Sequence, residues 1–204
     1  MNSQLRVALT FDAEHPDRSW CPRGNAERIL DTLQDQGVLA TFFVQGRWAE
    51  AEPALARRIA DAGHLVGHHS HYHARLPLLR DAGIDEDLAD GRSAIVEATG
   101  RDPKPWFRCP FGAGHDDARV LARIEAAGYR DVHWDVELED WEPHRSGPAI
   151  AESCLDGVRT RGDGAVVLLH TWPGGTADAL APIVTGLRDM EATFVTIDEL
   201  DRLP

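Results

Sequence analysis

The stretch Gly164-Ala165-Val166-Val167-Leu168-Leu169 is the most apolar segment of the chain, and it decides the fold class. A continuous apolar run of this length is typical of a strand that is covered on both faces of a sheet. Other apolar runs, each separated from the next by a helical pattern, predict strands at 5–11, 40–44, 65–67, 105–108, 129–136 and 193–197. The helices are predicted at 25–36, 50–62, 84–99, 116–127, 148–161 and 178–190. This alternation predicts an α/β fold with a parallel sheet inside and helices outside.

The organisation of the chain is predicted to be simple. No internal repeat, linker or low-complexity segment interrupts the 204 residues, so we expect a single domain over residues 1–204. Seven strands alternating with helices fit either a doubly wound open sheet or a barrel, and periodicity does not separate the two.

Composition excludes several classes of partner. The net charge of −13 argues against nucleic acid and against an anionic membrane surface, because both require clustered lysine and arginine. No apolar run reaches transmembrane length, and no signal-peptide core precedes the first strand, so the expected location is the cytoplasm. The three cysteines, an odd number without metal-type spacing, fit a reducing compartment. The sequence makes no prediction of oligomeric state.

Five of the ten histidines fall within residues 64–73. Neutral imidazole is the commonest metal-ligand side chain. Two histidines at i and i+4 lie on one face of a helical turn and can bind one cation. His69 and His73 have this spacing, and so do His64 and His68, so the spacing alone does not choose between the pairs. The alternative is a solvated, polar loop without metal.

Polar side chains follow the predicted strands at their carboxyl ends, where α/β folds gather their chemistry. In chain order they are Asp12 and Glu14, His69 and His73, Arg108, Asp140 and Trp141, and His170. Acids, histidines and one arginine on a shared rim predict metal-assisted acid–base chemistry. Each residue also has a plain structural explanation: Asp12 as a helix or turn cap, Arg108 in a buried salt bridge, and His170 as a core histidine.

Five short motifs occur in order along the chain, each after a predicted strand. They are Thr10-Phe11-Asp12-Ala13, His69-Ser70-His71-Tyr72-His73, Arg108-Cys109-Pro110-Phe111-Gly112, Asp140-Trp141 and Leu168-Leu169-His170. Together they resemble the motifs of the NodB-homology polysaccharide deacetylases, carbohydrate esterase family 4. The resemblance implies a distorted (β/α)7 barrel with parallel strands inside and helices outside. It also implies hydrolysis of the acetamide of an N-acetylated carbohydrate, with release of acetate.

The resemblance further implies a role for each motif. His69 and His73 would bind a divalent metal, with zinc as the expected ion, which lowers the pKa of water and polarises a carbonyl. Asp12 would be the general base, and Arg108 would keep it ionised and oriented. His170 would protonate the leaving amine.

The remaining site residues implied by the resemblance support this chemistry. Asp140 would favour the protonated form of His170. The backbone N–H of Phe111 would help to stabilise the oxyanion. Trp141 and either Leu168 or Leu169 would enclose the acetyl methyl group.

One departure from the family pattern leaves alternatives open. Many members carry a second aspartate as metal ligand where this chain has Ala13. Glu14 then supplies the carboxylate, since alternate residues of an extended segment face the same side. Otherwise Asp12 binds the metal and Glu14 is the base, or the site is weak and the domain binds carbohydrate or metal without turnover. An O-acetyl ester or a formamide is a further alternative substrate.

Overall fold

Parallel strands joined by helices make up the computed structural model of the protein, which describes residues 5–15 and 21–202. The strands are β1 (Arg6–Ala13), β2 (Thr41–Val44), β3 (Leu65–His68), β4 (Trp106–Phe107), β5 (Arg130–Asp131), β6 (Val136–Glu137), β7 (Ala165–His170) and β8 (Thr193–Phe194). The helices are α1 (Asn25–Gln36), α2 (Gly46–Ala51), α3 (Pro53–Asp61), α4 (Asp81–Thr99), α5 (Ala118–Ala126), α6 (Gly147–Arg161), α7 (Gly174–Asp189) and α8 (Ile197–Arg202). The pairs β1–β8, β3–β4, β4–β5 and β6–β7 are parallel. The predicted α/β fold of the distorted (β/α)7 barrel class is confirmed.

The chain divides into two compact units, of which the first comprises residues 1–11, 16–41 and 134–204. In this unit β7 lies between β1 and β6, and β8 pairs with β1. Helices α1 and α6 pack against α7. Strand β7 is the apolar stretch that predicts the fold class, and five of its six residues are buried.

The second unit comprises residues 12–15 and 42–133. Its strands have the order β5-β4-β3-β2, and α4 packs against α2, α3 and α5. The last residues of β1 also belong to this unit, where the carbonyl of Ala13 accepts a 2.9 Å hydrogen bond from the N–H of Gln45. Its apolar core contains Leu76, Ile84, Leu88, Phe107, Val120 and Ile124.

Three predicted elements differ from the structure. The helix predicted at 50–62 is two helices, because Pro53 starts α3 and its missing N–H ends the hydrogen-bond ladder of α2. The strand predicted at 129–136 is two strands, since Arg130 pairs with Trp106 whereas Val136 pairs with Val167. The strand predicted at 193–197 ends at Phe194, and α8 follows it.

The described part of the chain contains no helix of the length and apolarity that crossing a membrane requires. That a single domain covers residues 1–204 stays a prediction.

Candidate metal and acid–base site

Three side chains of the second unit converge on one point. Glu14, His69 and His73 each offer a ligand atom, and the three atoms lie within 4.8 Å of one another. Oε2 of Glu14 is 2.6 Å from Nε2 of His73 and 3.3 Å from Nε2 of His69. Two imidazole nitrogens and one carboxylate oxygen form a donor set that is typical of catalytic zinc. Among residues 5–15 and 21–202, this is the one group of three such side chains.

The two histidines meet through a tight loop rather than on a helix, so the predicted helical turn is wrong. Residues 69–73 contain no helix, and Ser70 and His73 have left-handed backbones with φ of 62° and 57°. The N–H of His73 donates to Oγ of Ser70 at 2.8 Å. This reversal brings the ring centres of His69 and His73 to 5.0 Å. The left-handed backbone at Ser70 and His73, and not a helical turn, therefore brings the two imidazoles together.

A buried carboxylate fixes the same loop from outside. Oδ1 and Oδ2 of Asp87, on α4, accept hydrogen bonds from the N–H groups of His71 and Tyr72 at 2.9 and 3.0 Å. The sequence analysis does not identify this residue. A signal for it exists, because Asp87 falls between Ile84 and Leu88 on the apolar face of α4, where an unsatisfied carboxylate would be costly.

The alternative histidine pair belongs to the core. His64 packs on Phe42 with ring centres 5.0 Å apart, and burial, together with Arg58, lowers the pKa of His64 to about 4. His68 is fully buried, and burial lowers its pKa to about 3. Its ring lies against Phe107. Both imidazoles are therefore neutral, and neither belongs to the group that contains Glu14.

Asp12 and Arg108 form a buried ion pair beside the ligand group. Nη1 of Arg108 donates to Oδ1 of Asp12 at 2.9 Å, and Oδ2 of Asp12 lies 3.5 Å from Nε2 of His69. The guanidinium also donates through Nε to the carbonyl of Val132, and its Cζ lies 4.1 Å from the centre of the Phe43 ring. Burial lowers the pKa of Arg108 while Asp12 raises it, and guanidinium remains charged. The buried salt bridge expected for Arg108 is therefore present, and its role in the site stays a prediction.

The charges in this group favour a cation. Asp12 and Glu14 are both nearly inaccessible, with 3% and 2% of their surface exposed. Burial lowers the pKa of His69, but the two carboxylates outweigh it, so that the pKa is raised. Nδ1 of His69 is 2.9 Å from the carbonyl of Arg108, which orients the ring so that Nε2 faces the carboxylates. The residues present therefore fit a divalent metal ion.

A second acid–base pair lies in the first unit. Nδ1 of His170 is 2.7 Å from Oδ1 of Asp140, and the backbone N–H of His170 donates to Oδ2 at 2.8 Å. Since a carboxylate only accepts, Nδ1 carries the hydrogen, and Nε2 is the nitrogen that exchanges a proton with other groups. Thr176, which the sequence analysis does not identify, donates to Oδ2 at 2.6 Å.

Aromatic side chains surround this imidazole. Trp141 and Trp172 lie with their ring centres 5.3 and 5.8 Å from that of His170. Leu168 and Leu169, the candidates for the acetyl pocket, are both buried in β7.

Phe111 has the most unusual backbone in the third motif. Its φ is 58°, although it is neither glycine nor asparagine, and such a residue is held in place by its surroundings. Its ring is 46% exposed and lies 4.3 Å from the ring of His73, centre to centre. Among the described residues, none accepts a hydrogen bond from its N–H.

Comparison with known proteins identifies the family. The family model for polysaccharide deacetylases matches residues 2–132 of the chain. The chain belongs to the polysaccharide deacetylase family.

Two proteins with similar sequences are named as peptidoglycan deacetylases. The chain is 30% identical over 195 residues to the peptidoglycan-N-acetylmuramic acid deacetylase PdaA of Bacillus subtilis, covering 95% of the chain and 70% of the relative. It is 34% identical to the peptidoglycan-N-acetylglucosamine deacetylase PgdA of Listeria monocytogenes, covering 96% of the chain but 38% of the relative. The chain thus spans just over a third of that larger protein.

Solved structures of family members are also similar. A family 4 carbohydrate esterase from Streptomyces lividans in complex with acetate is 32% identical, with a TM-score of 0.80 over 93% of this chain and 91% of that one. A family 4 pseudoenzyme from Bacillus anthracis is 29% identical, with a TM-score of 0.81 over 98% of this chain and 66% of that one. The family thus includes both an esterase structure that holds acetate and a pseudoenzyme with the same fold.

Proposed function

We propose that this polysaccharide deacetylase family member is a metal-dependent enzyme that hydrolyses the acetamide of an N-acetylated sugar and releases acetate. The observation that carries the proposal is the convergence of Glu14, His69 and His73 beside the buried Asp12–Arg108 pair. The names of the relatives support the substrate class, since PdaA and PgdA are both deacetylases of peptidoglycan sugars.

We assign Glu14, His69 and His73 as the ligands of a divalent metal, with zinc as the expected ion. A bound divalent cation polarises the substrate carbonyl and makes water a stronger nucleophile near neutral pH. Glu14 fills the role that the second aspartate has in many family members. Ala13 has no ligand atom.

Asp12 is the proposed general base. Arg108 occupies its Oδ1, which leaves Oδ2, on the side of His69, as the oxygen that accepts the proton from the attacking water. The paired guanidinium also fixes the orientation of the carboxylate. A hydrogen bond to the carbonyl of Val132 and contact with the Phe43 ring also hold the guanidinium in place.

His170 is the proposed general acid. Asp140 accepts the Nδ1 hydrogen and thereby aims Nε2, which would deliver its proton to the nitrogen of the leaving amine. The carbonyl carbon gains the water oxygen and loses the sugar amine, so acetate and a free amino sugar are the products. The backbone N–H of Phe111 would donate to the oxyanion, and Trp141 with Leu169 would enclose the acetyl methyl group.

A non-catalytic carbohydrate- or metal-binding domain is the second candidate. Ala13 in place of an aspartate favours it, and the Bacillus anthracis pseudoenzyme is a similar fold of that kind. An O-acetyl ester or a formamide remains a substrate that the same groups could hydrolyse.

The test combines acetate release with metal analysis. We expect acetate from N-acetylated glycan oligomers, its loss on exhaustive chelation and its return with zinc. Glu14→Gln and His73→Ala should lose bound metal. His115→Ala, which removes an exposed imidazole outside the group, should retain it. Asp12→Asn should keep the metal and lose turnover, whereas metal loss in that variant would make Asp12 a ligand. Sugar binding without hydrolysis at any metal loading would favour the non-catalytic domain.

A further inference from the structure

An exposed arginine, Arg75, follows the ligand loop of the second unit, which we define as residues 69–73. Cζ of Arg75 lies 4.2 Å from the centre of the Phe111 ring, and that ring lies 4.3 Å from the ring of His73. Two short ring contacts therefore connect a permanent positive charge to a proposed metal ligand. None of the catalytic roles proposed above uses this side chain.

The backbone on both sides of Arg75 is fixed. His73 is held in its left-handed conformation by the bond to Ser70, and Leu76, which is fully buried, anchors the chain in the apolar core. The carbonyl of Arg75 accepts a hydrogen bond from the N–H of Leu78 at 3.0 Å. A side chain that starts from such a backbone and rests on an aromatic ring loses little further freedom when it binds a ligand.

The charge of Arg75 is uncompensated within the described residues. No acidic side chain in residues 5–15 or 21–202 forms an ion pair with it. Arg47 of α2 differs in this respect. Its Cζ lies 5.7 Å from the centre of the Tyr72 ring, and its Nε lies 3.5 Å from Oε2 of Glu50. The protein carries a net charge of −13, yet the guanidinium of Arg75 has no acidic partner among the described residues. We therefore expect an anionic group of a bound ligand to be its partner.

We propose that Arg75 selects an N-acetylated glycan that carries a carboxylate close to the acetamido group. The inference rests on the proposed deacetylase function and adds the charge of the substrate to it. A guanidinium presents a planar fork of N–H donors that matches the two oxygens of a carboxylate. The exposed Phe111 ring offers an apolar surface to the sugar itself, in the manner of the aromatic walls of ligand sites.

Two sources of the carboxylate share this chemistry. It belongs either to the acetylated sugar, as in the lactyl ether of N-acetylmuramic acid, or to its neighbour, as in an oligomer of N-acetylglucosamine and glucuronic acid. Each glycan is compared with its own carboxamide, which has the same shape without the charge. The readouts are kcat/KM for acetate release and saturation-transfer NMR, which registers bound sugar whether or not it is hydrolysed.

The expected result is a preference of about tenfold in kcat/KM for the acid over the amide in at least one of the two pairs, the effect of one charge-assisted contact at an exposed site. The pair that shows it identifies the source. The preference should disappear in Arg75→Gln, persist in part in Arg75→Lys, and remain in the matched control Arg47→Gln. Added salt should weaken it, since exposed charges are screened.

Several results would overturn the inference. One is equal binding and hydrolysis of acid and amide by the wild-type protein in both pairs. Another is a preference that survives in Arg75→Gln. If the protein binds the acids better through Arg75 but releases no acetate, the selection is correct and the hydrolytic function fails, so the two proposals are separable.

Discussion

Gly91 of α4 provides a sharp test of how the ligand loop is packed. Replacement of a helical glycine by alanine ordinarily stabilises a protein, by up to about 1 kcal/mol. At Gly91 a methyl group would lie 3.1 Å from the backbone nitrogen of His71 and 3.1 Å from Cε1 of His68, and closer still to Nε2 of His68. The imidazole of His68 has no room to withdraw, because it is fully buried between Phe107 and Tyr129, with ring centres 5.1 and 5.2 Å away.

The expected sign follows from comparing these effects. Overpacking of a buried site costs about 1–3 kcal/mol, and a fixed ring and backbone place this case at the upper end. After subtraction of the helix gain, Gly91→Ala should lose about 2 kcal/mol of unfolding free energy. Gly83→Ala is the matched control on the same helix, since its methyl would meet only Cβ of Leu79 at 3.8 Å. That variant should be as stable as the wild type or gain up to about 1 kcal/mol.

Urea unfolding measures the difference. The two midpoints should be separated by about 0.7–3 M, given slopes of about 1–3 kcal/mol per M. In a His68→Ala background the closest contact of the methyl at Gly91 is removed and only that with the backbone of His71 remains, so the same substitution should destabilise the protein less. Equal stability of Gly91→Ala and Gly83→Ala, or an equal penalty in both backgrounds, would refute the packing argument.

Three further predictions concern buried ionisable groups. Arg108→Met should destabilise the protein by about 3–5 kcal/mol in urea unfolding, because Asp12 remains buried without its cation, and a neutral effect would contradict this pairing. His170→Ala should retain metal and reduce kcat by about 10²–10⁴, with Asp140→Asn reducing it as well, and unchanged kcat would exclude His170 as the acid. Stability should fall by about 2–3 kcal/mol between pH 6.5 and 4 through His64, because its folded pKa of about 4 lies below the ordinary value and the unfolded chain binds the proton first. A His64→Gln variant should show a smaller loss of urea midpoint over that range, and an identical pH profile would remove His64 as the cause.

The fold class could be predicted from the sequence because the buried strands are continuous runs of apolar residues. The apolar run 164–169 is continuous, and it forms β7 with five buried residues. Helix 25–36 is predicted with its observed bounds, since Gly37 ends it in a left-handed conformation that glycine adopts without strain. Short strands such as Arg130–Asp131 could not be predicted, because two residues are too few to show an alternating apolar pattern. Their pairing partners are also distant in the chain.

The candidate site could be predicted as a set of residues but not as a geometry. Glu14, His69 and His73 do converge, and His170 does meet Asp140. The loop that joins the histidines depends on positive φ at Ser70, which propensity does not predict for serine. Supporting residues such as Asp87 and Arg75 belong to no motif, and only the folded chain shows what they contact.

The alternation of side chains at the end of strand β1 has a consequence for substitutions at Ala13. Asp12 and Glu14 both face His69, so alternation turns Ala13, which is fully buried, to the opposite side. An aspartate introduced at Ala13 would add a buried negative charge on the side of the chain that faces away from His69. A single change to aspartate at Ala13 is therefore expected to lower stability without adding a ligand atom to the group formed by Glu14, His69 and His73.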